Sequence, residues 1–358
     1  MNKKALCTAI LAALITMPAC AQQTFKEKLK DFATVPQFGG YLVGRAQYTN
    51  DQTSKSGGGF DLRMVRAYVK GTILHDWNYY IQMEYSGAPG VDKGVRLLDA
   101  YGEWKKFPEF SVKFGQMKRV FTFENPYSPW DIGYGNYSQL VQKLAGMSDR
   151  VGEHSSGGRD AGIVIQGDLF PEEDHRWLHY QVGVYNGQGI NHSDENKQKD
   201  VIGGIWVSPI KDLQIGVFGW TGRYTKNDIT VNRNRMAYGI KYESDWTFRA
   251  EYASSQGGKT TNTYAAERAD AWYVTVGIPI VKKLKAYASW DVYRDEKTSD
   301  TQNSLYNVAL NYKLWKNLMI QATYTYTDGS YAEYSNEGIR SVTKNNYHTA
   351  MLQLYVRF

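Results

Sequence analysis

The sequence predicts an all-β protein, a transmembrane antiparallel β-barrel of about 16 strands, and three observations lead to this prediction. Apolar and polar residues alternate with a period of two along most of the chain after residue 37. The connections between these segments are alternately long and short. Tyrosine and tryptophan are abundant, with 28 and 10 residues, which suits the two interfaces of a membrane.

The first residues have the features of a secretory signal peptide. Lys3 and Lys4 precede an apolar run that ends at a small-residue cleavage site around Cys20. Lipoprotein processing at Cys20 is the alternative interpretation. Cleavage after residue 21 removes both cysteines, so we expect no disulfide. The predicted division is a signal peptide over 1–21, a short periplasmic segment over 22–37 and the barrel over 38–358.

The charge of the chain is close to balanced. The formal net charge is +6, and removal of Lys3 and Lys4 leaves 40 basic against 36 acidic residues, or +4. A nucleic-acid-binding protein would carry a larger and more clustered excess of basic residues, so we expect no nucleic acid partner. After the signal peptide, no apolar run reaches the ~18–20 residues of a membrane helix. The exported chain is therefore either soluble or inserted into a membrane by strands.

Each alternating segment is about ten residues long, enough for a tilted strand to cross a bilayer. The predicted strands cover residues 39–49, 60–73, 77–87, 95–105, 110–119, 161–170, 177–187, 200–208, 212–222, 235–244, 246–255, 270–279, 284–294, 304–314, 317–328 and 347–358.

The pattern of connections predicts how the strands are arranged. Gly- and Ser-rich or charged loops follow the odd strands and tight turns follow the even ones, as in antiparallel barrels of outer membranes. An unpaired strand edge is costly in hydrocarbon, so the first and last strands must pair. In the last strand Ala350, Leu352, Leu354 and Val356 alternate with more polar residues. We expect these four side chains to face lipid.

The opposite faces of the strands carry charges of both signs. Such groups are costly in a dry core but ordinary in a water-filled lumen. The predicted pore-lining residues are Arg45, Arg66, Lys70, Glu84, Asp99, Glu103, Lys113 and Arg249.

About forty residues between Arg119 and Asp160 contain no clear strand. The segment is rich in Tyr, Trp, Pro and Gly and includes a helix-like stretch, YSQLVQKLAG. A loop of this length is usually functional, and we expect this third outer loop to fold into the lumen and narrow it. Its acidic residues outnumber its basic ones by one, which does not indicate an anion trap. The charged candidates at the constriction are Arg119, Glu124, Asp131, Lys143, Arg150 and Arg159.

Three motifs in order resemble the phosphate-selective porin O and P family. They are FGQMKRVFTFEN at 114–125, GGRDAGIVIQGDLF at 157–170 and VGVYNGQGIN at 182–191, with Met117 at the position of an aromatic residue in the family. The resemblance implies a sixteen-stranded, trimeric channel in the outer membrane of a Gram-negative bacterium. It carries the family's basic residues onto Lys118, Arg119 and Arg159. A terminal aromatic residue, here Phe358, resembles the signal that the barrel-assembly machinery recognises.

These observations predict a porin that passes ions and small hydrophilic solutes by passive diffusion, with outer-membrane lipids around it and no cofactor. A selective anion or phosphate channel is the first alternative. A barrel enzyme would need a catalytic group on the outer rim, where His154 and His192 have serines nearby but no recognised spacing. A structural barrel is a further alternative. His175 and His179 have the spacing of a metal pair on a helix, but they precede or lie in a predicted strand, so we expect no metal there.

Overall fold

The strands form a closed antiparallel barrel, as the alternating pattern predicts. The computed structural model describes residues 33–52, 57–85, 94–260, 268–297, 299–335 and 338–358. The predicted signal peptide and most of the predicted periplasmic segment lie outside these ranges. The strands are β1 Gln37–Thr49, β2 Gly57–Ile73, β3 Trp77–Glu84, β4 Arg96–Phe107, β5 Phe110–Lys118, β6 Arg159–Pro171, β7 Arg176–Tyr185, β8 Asp200–Ile210, β9 Leu213–Thr221, β10 Arg223–Lys226, β11 Ile229–Asn232, β12 Asn234–Glu243, β13 Thr247–Gln256, β14 Arg268–Val281, β15 Leu284–Arg294, β16 Gln302–Trp315, β17 Leu318–Ser335 and β18 Gly338–Arg357.

Sixteen of these strands close the barrel, and β1 pairs with β18 to complete it. Val43 lies opposite Tyr355, and the Gly40 and Phe358 backbones exchange two hydrogen bonds of 2.9 and 3.1 Å. The last strand therefore supplies the seam that a membrane sheet needs. Leu352 and Leu354 are 53% and 42% exposed on the outer surface, whereas Gln353 is buried inside. The predicted lipid face of this strand is confirmed.

The prediction missed two features of the outer loops. Strands β10 and β11 form a separate hairpin between β9 and β12. Its turn residues Asn227 and Asp228 both have positive φ, a conformation that Asn and Asp tolerate, so this turn could have been predicted. Strands β17 and β18 also extend beyond the neighbouring strands, because their polar outer halves pair with each other as far as residues 335 and 338.

A short helix, α1, spans Gln139–Leu144 within the long loop, where the sequence pattern predicted it. Ser138 caps the helix, and its hydroxyl accepts a hydrogen bond of 3.3 Å from the Val141 amide. A 3-10 turn covers Ser299–Thr301. Within the described ranges, no helix is long and apolar enough to cross a membrane.

Candidate channel and constriction

Residues 119–158, which we call the constriction loop, fold back into the barrel. The loop lies against the inner surface of β12–β18, which we call the far wall. There the Glu251 carboxylate accepts hydrogen bonds from the Phe123 and Glu124 amides, at 2.7 and 3.0 Å. The Asp291 carboxylate accepts a bond of 2.8 Å from the Gln139 amide. The inward polar residues of these strands therefore bind the loop backbone, and the predicted folding of the loop into the lumen is confirmed.

The loop also packs on apolar side chains of the far wall. Leu140, Val141 and Leu144 of α1 are fully buried against the wall. Alanines occupy the inward positions where the helix lies, and their small side chains leave room for it. These alanines are Ala237, Ala253, Ala269 and Ala271, each 0–1% exposed. The lumen beside α1 is consequently filled with protein on the far-wall side.

The two ends of the loop are fastened by a buried ionic network. Arg119 pairs with Glu153 at 3.0 Å and with Asp160 at 2.9 Å. Arg233 pairs with the same Glu153 at 2.5 Å and with Asp200 at 2.6 Å. None of these side chains is exposed. Buried charges of this kind are tolerated only when they are paired and hydrogen-bonded, and here the pairs connect the ends of the loop to Asp160 of β6 and, through Arg233, to Asp200 of β8.

A second pair and an aromatic ring complete this network. Asp149 accepts two bonds of 2.6 Å from Arg235. Burial opposes ionisation of Asp149, but the Arg235 guanidinium outweighs it and lowers the pKa of this carboxyl. The Trp220 ring lies within 5.0 Å of the Arg119, Arg233 and Arg235 guanidinium carbons. Trp220 thus packs against the three arginines that hold the loop.

This arrangement removes most of the acidic charge of the loop from the passage. Of its four carboxylates, Asp149 and Glu153 are paired with buried arginines, as is Asp160 just after the loop. Glu124 is 1% exposed and accepts a bond of 2.6 Å from the Ser138 amide, and burial raises the pKa of its carboxyl. Only Asp131 keeps an exposed carboxylate, 3.6 Å from Arg357. The near-neutral charge count of the loop therefore does not describe the charge that a passing solute meets.

The strands β1–β6, which we call the near wall, face the free side of the loop and carry arginines in ion pairs. Glu84 pairs with Arg66 at 3.0 Å and with Arg96 at 2.9 Å. Asp99 pairs with Arg159 at 2.8 Å. Three arginines therefore meet two carboxylates in these contacts, which leaves one positive charge uncompensated among them.

Two further contacts define the edges of the passage. Arg45 pairs with Asp61 at 2.6 Å on the outer half of the near wall. Arg63 reaches the loop and donates to the Asn136 side chain at 3.1 Å. The loop and the near wall thus meet at a polar contact, and the passage runs beside it.

On the side of the short turns, the passage opens into a chamber of about 540 Å³ between the near wall and the loop, which we call the basic chamber. Its lining includes one acidic residue, Asp99. Its seven basic lining residues are Arg66, Lys70, Lys113, Lys118, Arg119, Arg159 and Arg357. Lys70 and Lys113 make no ion pair within the described part of the chain. They lie over the rings of Tyr68 and Tyr101, at 5.9 and 4.8 Å.

A second chamber of about 480 Å³ lies on the other side of Tyr127, which lines both. Its charges are mixed, with Arg249, Lys282, Lys283, Lys285 and Lys313 against Asp131, Glu243 and Asp245. Basic residues therefore exceed acidic ones by fewer in this chamber than in the basic chamber.

The structure places the predicted site residues in different surroundings. Arg66, Lys70, Asp99, Lys113, Arg119 and Arg159 line the basic chamber, and Arg45 and Glu84 lie on the near wall above it. Glu103 accepts hydrogen bonds from Ser111 and Gln166 and is a wall charge. Arg249 holds the loop, because it donates to the carbonyl groups of Asp131 and Ile132 at 2.9 and 3.0 Å.

The remaining loop candidates lie away from the narrowest part of the passage. Arg150 pairs with Asp295 at 3.5 Å and bonds the Gly257 carbonyl, so it joins the loop to other outer loops. Lys143 is half-buried in the last turn of α1, and burial lowers the pKa of its amino group. The sequence reasoning did not single out Arg63, Arg96, Arg233 or Arg235. Arg96, Arg233 and Arg235 lie at or next to strand ends, where the alternating period does not assign a face. Arg63 lies within β2 at an irregularity in its pairing with β1, which interrupts the period.

The histidines considered in the sequence have structural surroundings. His179 bonds Asp168 at 2.7 Å and stacks on Trp206, and His175 bonds Asp174. They lie in β7 and the turn before it, so they do not form a helical pair. His154 and His192 stack with ring centres 3.7 Å apart, and a nitrogen of each lies about 3 Å from the Ile190 carbonyl oxygen. They join the constriction loop to the loop after β7.

Comparison with known proteins agrees with this geometry. The family model described as phosphate-selective porin O and P matches residues 40–212, and the model described as Gram-negative porin matches residues 178–332. Comparison with curated sequences gives no match. The closed barrel with an inward-folded loop and the two family matches define the class: this chain is an outer-membrane porin, a channel for solutes. Within that class, the match over residues 40–212 confirms the resemblance to the phosphate-selective porin O and P family.

Solved structures share the fold at low sequence identity. The anion-selective porin from Comamonas acidovorans is 12% identical, with a TM-score of 0.69 and coverage of 90% of this chain and 99% of that one. Salmonella typhi OmpF is 14% identical, with a TM-score of 0.63 and coverage of 90% and 97%. The trimer form of OmpT, an outer membrane protein of Vibrio cholerae, is 16% identical, with a TM-score of 0.59 and coverage of 91% and 100%.

Proposed function

We propose that this porin prefers anions, and that small anionic solutes diffuse between the constriction loop and the near wall into the basic chamber. The observation that carries the proposal is the excess of basic residues in that chamber, six against one when Arg119, which is buried and paired with Glu153 and Asp160, is left out. The field of fixed charges inside a narrow, low-dielectric passage raises the local concentration of the opposite ion. The name of the porin from Comamonas acidovorans, which shares the fold, agrees with this proposal.

The preference is expected to be general for anions rather than specific for phosphate. The arginines of the near wall are paired with Glu84, Asp99 and Asp61, which compensates part of their charge. Lys70 and Lys113 are the cations on which the preference depends most, because they have no carboxylate partner within the described residues. Lys118 has none there either, but its amino group is bound to the Asn125 carbonyl at 2.6 Å and the Tyr137 hydroxyl at 3.2 Å. An amino group without such a partner attracts a passing anion without first giving up an internal ion pair.

Four properties of the mature channel belong to the same proposal. It conducts solutes and catalyses no reaction, which the two porin family matches support. The first 21 residues are removed as a signal peptide during export. The channel assembles as a homotrimer, which the trimer form of the similar OmpT structure supports. The strand that ends at Phe358 is recognised by the barrel-assembly machinery, a role supported by its position at the barrel seam.

Replacing Lys70 and Lys113 by glutamine is expected to reduce the anion preference. In a potassium chloride gradient across a planar bilayer, the zero-current potential should move away from the equilibrium potential of chloride. The matched control replaces Lys211 and Lys316 by glutamine, since these exposed lysines lie in short turns and the change in net charge is the same. Equal potentials for the wild type and the chamber variant would show that these lysines do not set the selectivity.

A further inference from the structure

A groove of about 880 Å³ crosses the outer surface of β8, β9 and β12 near the ends that lead into the long loops. Its apolar walls include Val201, Ile205, Val217 and Met236, each between 41% and 45% exposed. Gly203 and Gly219 lie between these side chains and have none of their own. The groove therefore exists because two outward positions carry glycine where neighbouring positions carry larger residues.

The groove has polar and cationic groups at its outer end. Arg268 and Lys297 line it there, together with the uncharged side chains of Asn234 and Gln256. The Lys297 amide donates a hydrogen bond of 3.0 Å to the Arg268 carbonyl, which places the two residues side by side. Both are exposed, and neither forms an ion pair within the residues that the structure describes. No acidic residue lines the groove.

A second groove on the outer surface of the same barrel has no cations at its end, which allows a comparison. It has a volume of about 930 Å³ and lies on the outer face of β1, β2 and β15–β18, with Phe60, Val308 and Leu352 in its lining. No charged residue lines it. An apolar groove on the outer surface therefore does not by itself bring a pair of cations with it.

We propose that the groove on β8, β9 and β12 binds a phosphorylated lipid of the outer leaflet, with an acyl chain along the groove and a phosphate at Arg268 and Lys297. The strand ends there lead into the long loops, which places the two cations at the level of the outer headgroups. A phosphate accepts charge-assisted hydrogen bonds from both side chains. The acyl chain covers apolar surface that the glycines leave open.

Binding of diphosphorylated lipid A to the purified full chain in detergent, measured by native mass spectrometry, tests the proposal. We expect the variant with Arg268→Gln and Lys297→Gln to bind at least about tenfold more weakly, the effect of losing two charge-assisted contacts. Gly219→Leu should weaken binding as well, because its side chain would occupy the groove. A Cβ at Gly219 meets nothing closer than Met236 Sδ at 3.6 Å, so the backbone tolerates the change.

The controls distinguish binding in this groove from binding elsewhere on the barrel surface. Gly58→Leu places the same side chain in the uncharged groove, where a Cβ meets nothing closer than the Gln47 carbonyl oxygen at 3.6 Å, and should leave lipid binding unchanged. Inorganic phosphate should not displace the lipid. Unchanged binding in the Arg268 and Lys297 variant, or equal binding of dephosphorylated lipid A, would overturn the proposal. It would also be wrong if Gly219→Leu dissociated the oligomer without affecting lipid binding, since the groove would then be a contact between copies.

Discussion

Deletion of the part of the constriction loop that crosses the lumen is expected to raise single-channel conductance severalfold. Residues 127–136 lie between the far wall and the near wall, and Tyr127 separates the two chambers. Replacing these residues by a short Gly-Ser linker would join the chambers into one wider passage. The two fastened arms of the loop and α1 would remain, so the barrel should still fold.

Planar-bilayer recording of single channels measures this effect. The control shortens the β10–β11 hairpin around Asn227 and Asp228, which lies in an outer loop and lines neither chamber. That change should leave conductance near the wild-type value. If the loop deletion also left conductance unchanged, residues 127–136 would not limit the current, and the assignment of the constriction would be wrong.

Replacement of Arg233 by methionine is expected to cause the largest loss of stability of any single substitution considered. The substitution leaves Glu153 and Asp200 buried with one partner fewer, and breaking a buried ion pair in this way costs about 3–5 kcal/mol. Unfolding in detergent, followed by the mobility shift of heated barrels in gel electrophoresis, measures the loss. Open-channel noise should also rise, because Arg233 helps to hold the end of the loop.

Two further variants test whether the loss of stability comes from leaving buried carboxylates without a partner. Asp200→Asn added to the Arg233 variant should recover part of the stability, because it removes one uncompensated carboxylate. Arg45→Met breaks a partly exposed pair with Asp61, at 17% and 25% exposure, and should cost less than about 1 kcal/mol. If the Arg233 and Arg45 variants lost equal stability, burial of the network would not be what fastens the loop.

The barrel could be predicted from the sequence because the same alternation of outward apolar and inward polar residues repeats in every strand. A strand that faces lipid on one side and water on the other must alternate, and each of the sixteen barrel strands coincides with a predicted segment to within a few residues at most ends. Closure follows from the cost of a free edge in hydrocarbon. The position of the constriction loop was also predictable, since few other roles suit forty aromatic-rich residues between two strands.

The charge of the passage could not be predicted in the same way. Whether a loop carboxylate faces a solute depends on partners distant in sequence. Asp149 pairs with Arg235, 86 residues away, and Glu153 pairs with Arg233, 80 residues away. A charge count over the loop treats these groups as free. Nor does the alternating period of β12–β14 show that its inward alanines make room for a helix.

The zero-current potential of the unmodified channel in a potassium chloride gradient tests the central claim most directly. If loop carboxylates are held in internal pairs while lysines and arginines face the water, the potential should lie on the chloride side of zero. A potential of zero, or one on the potassium side, would contradict the account.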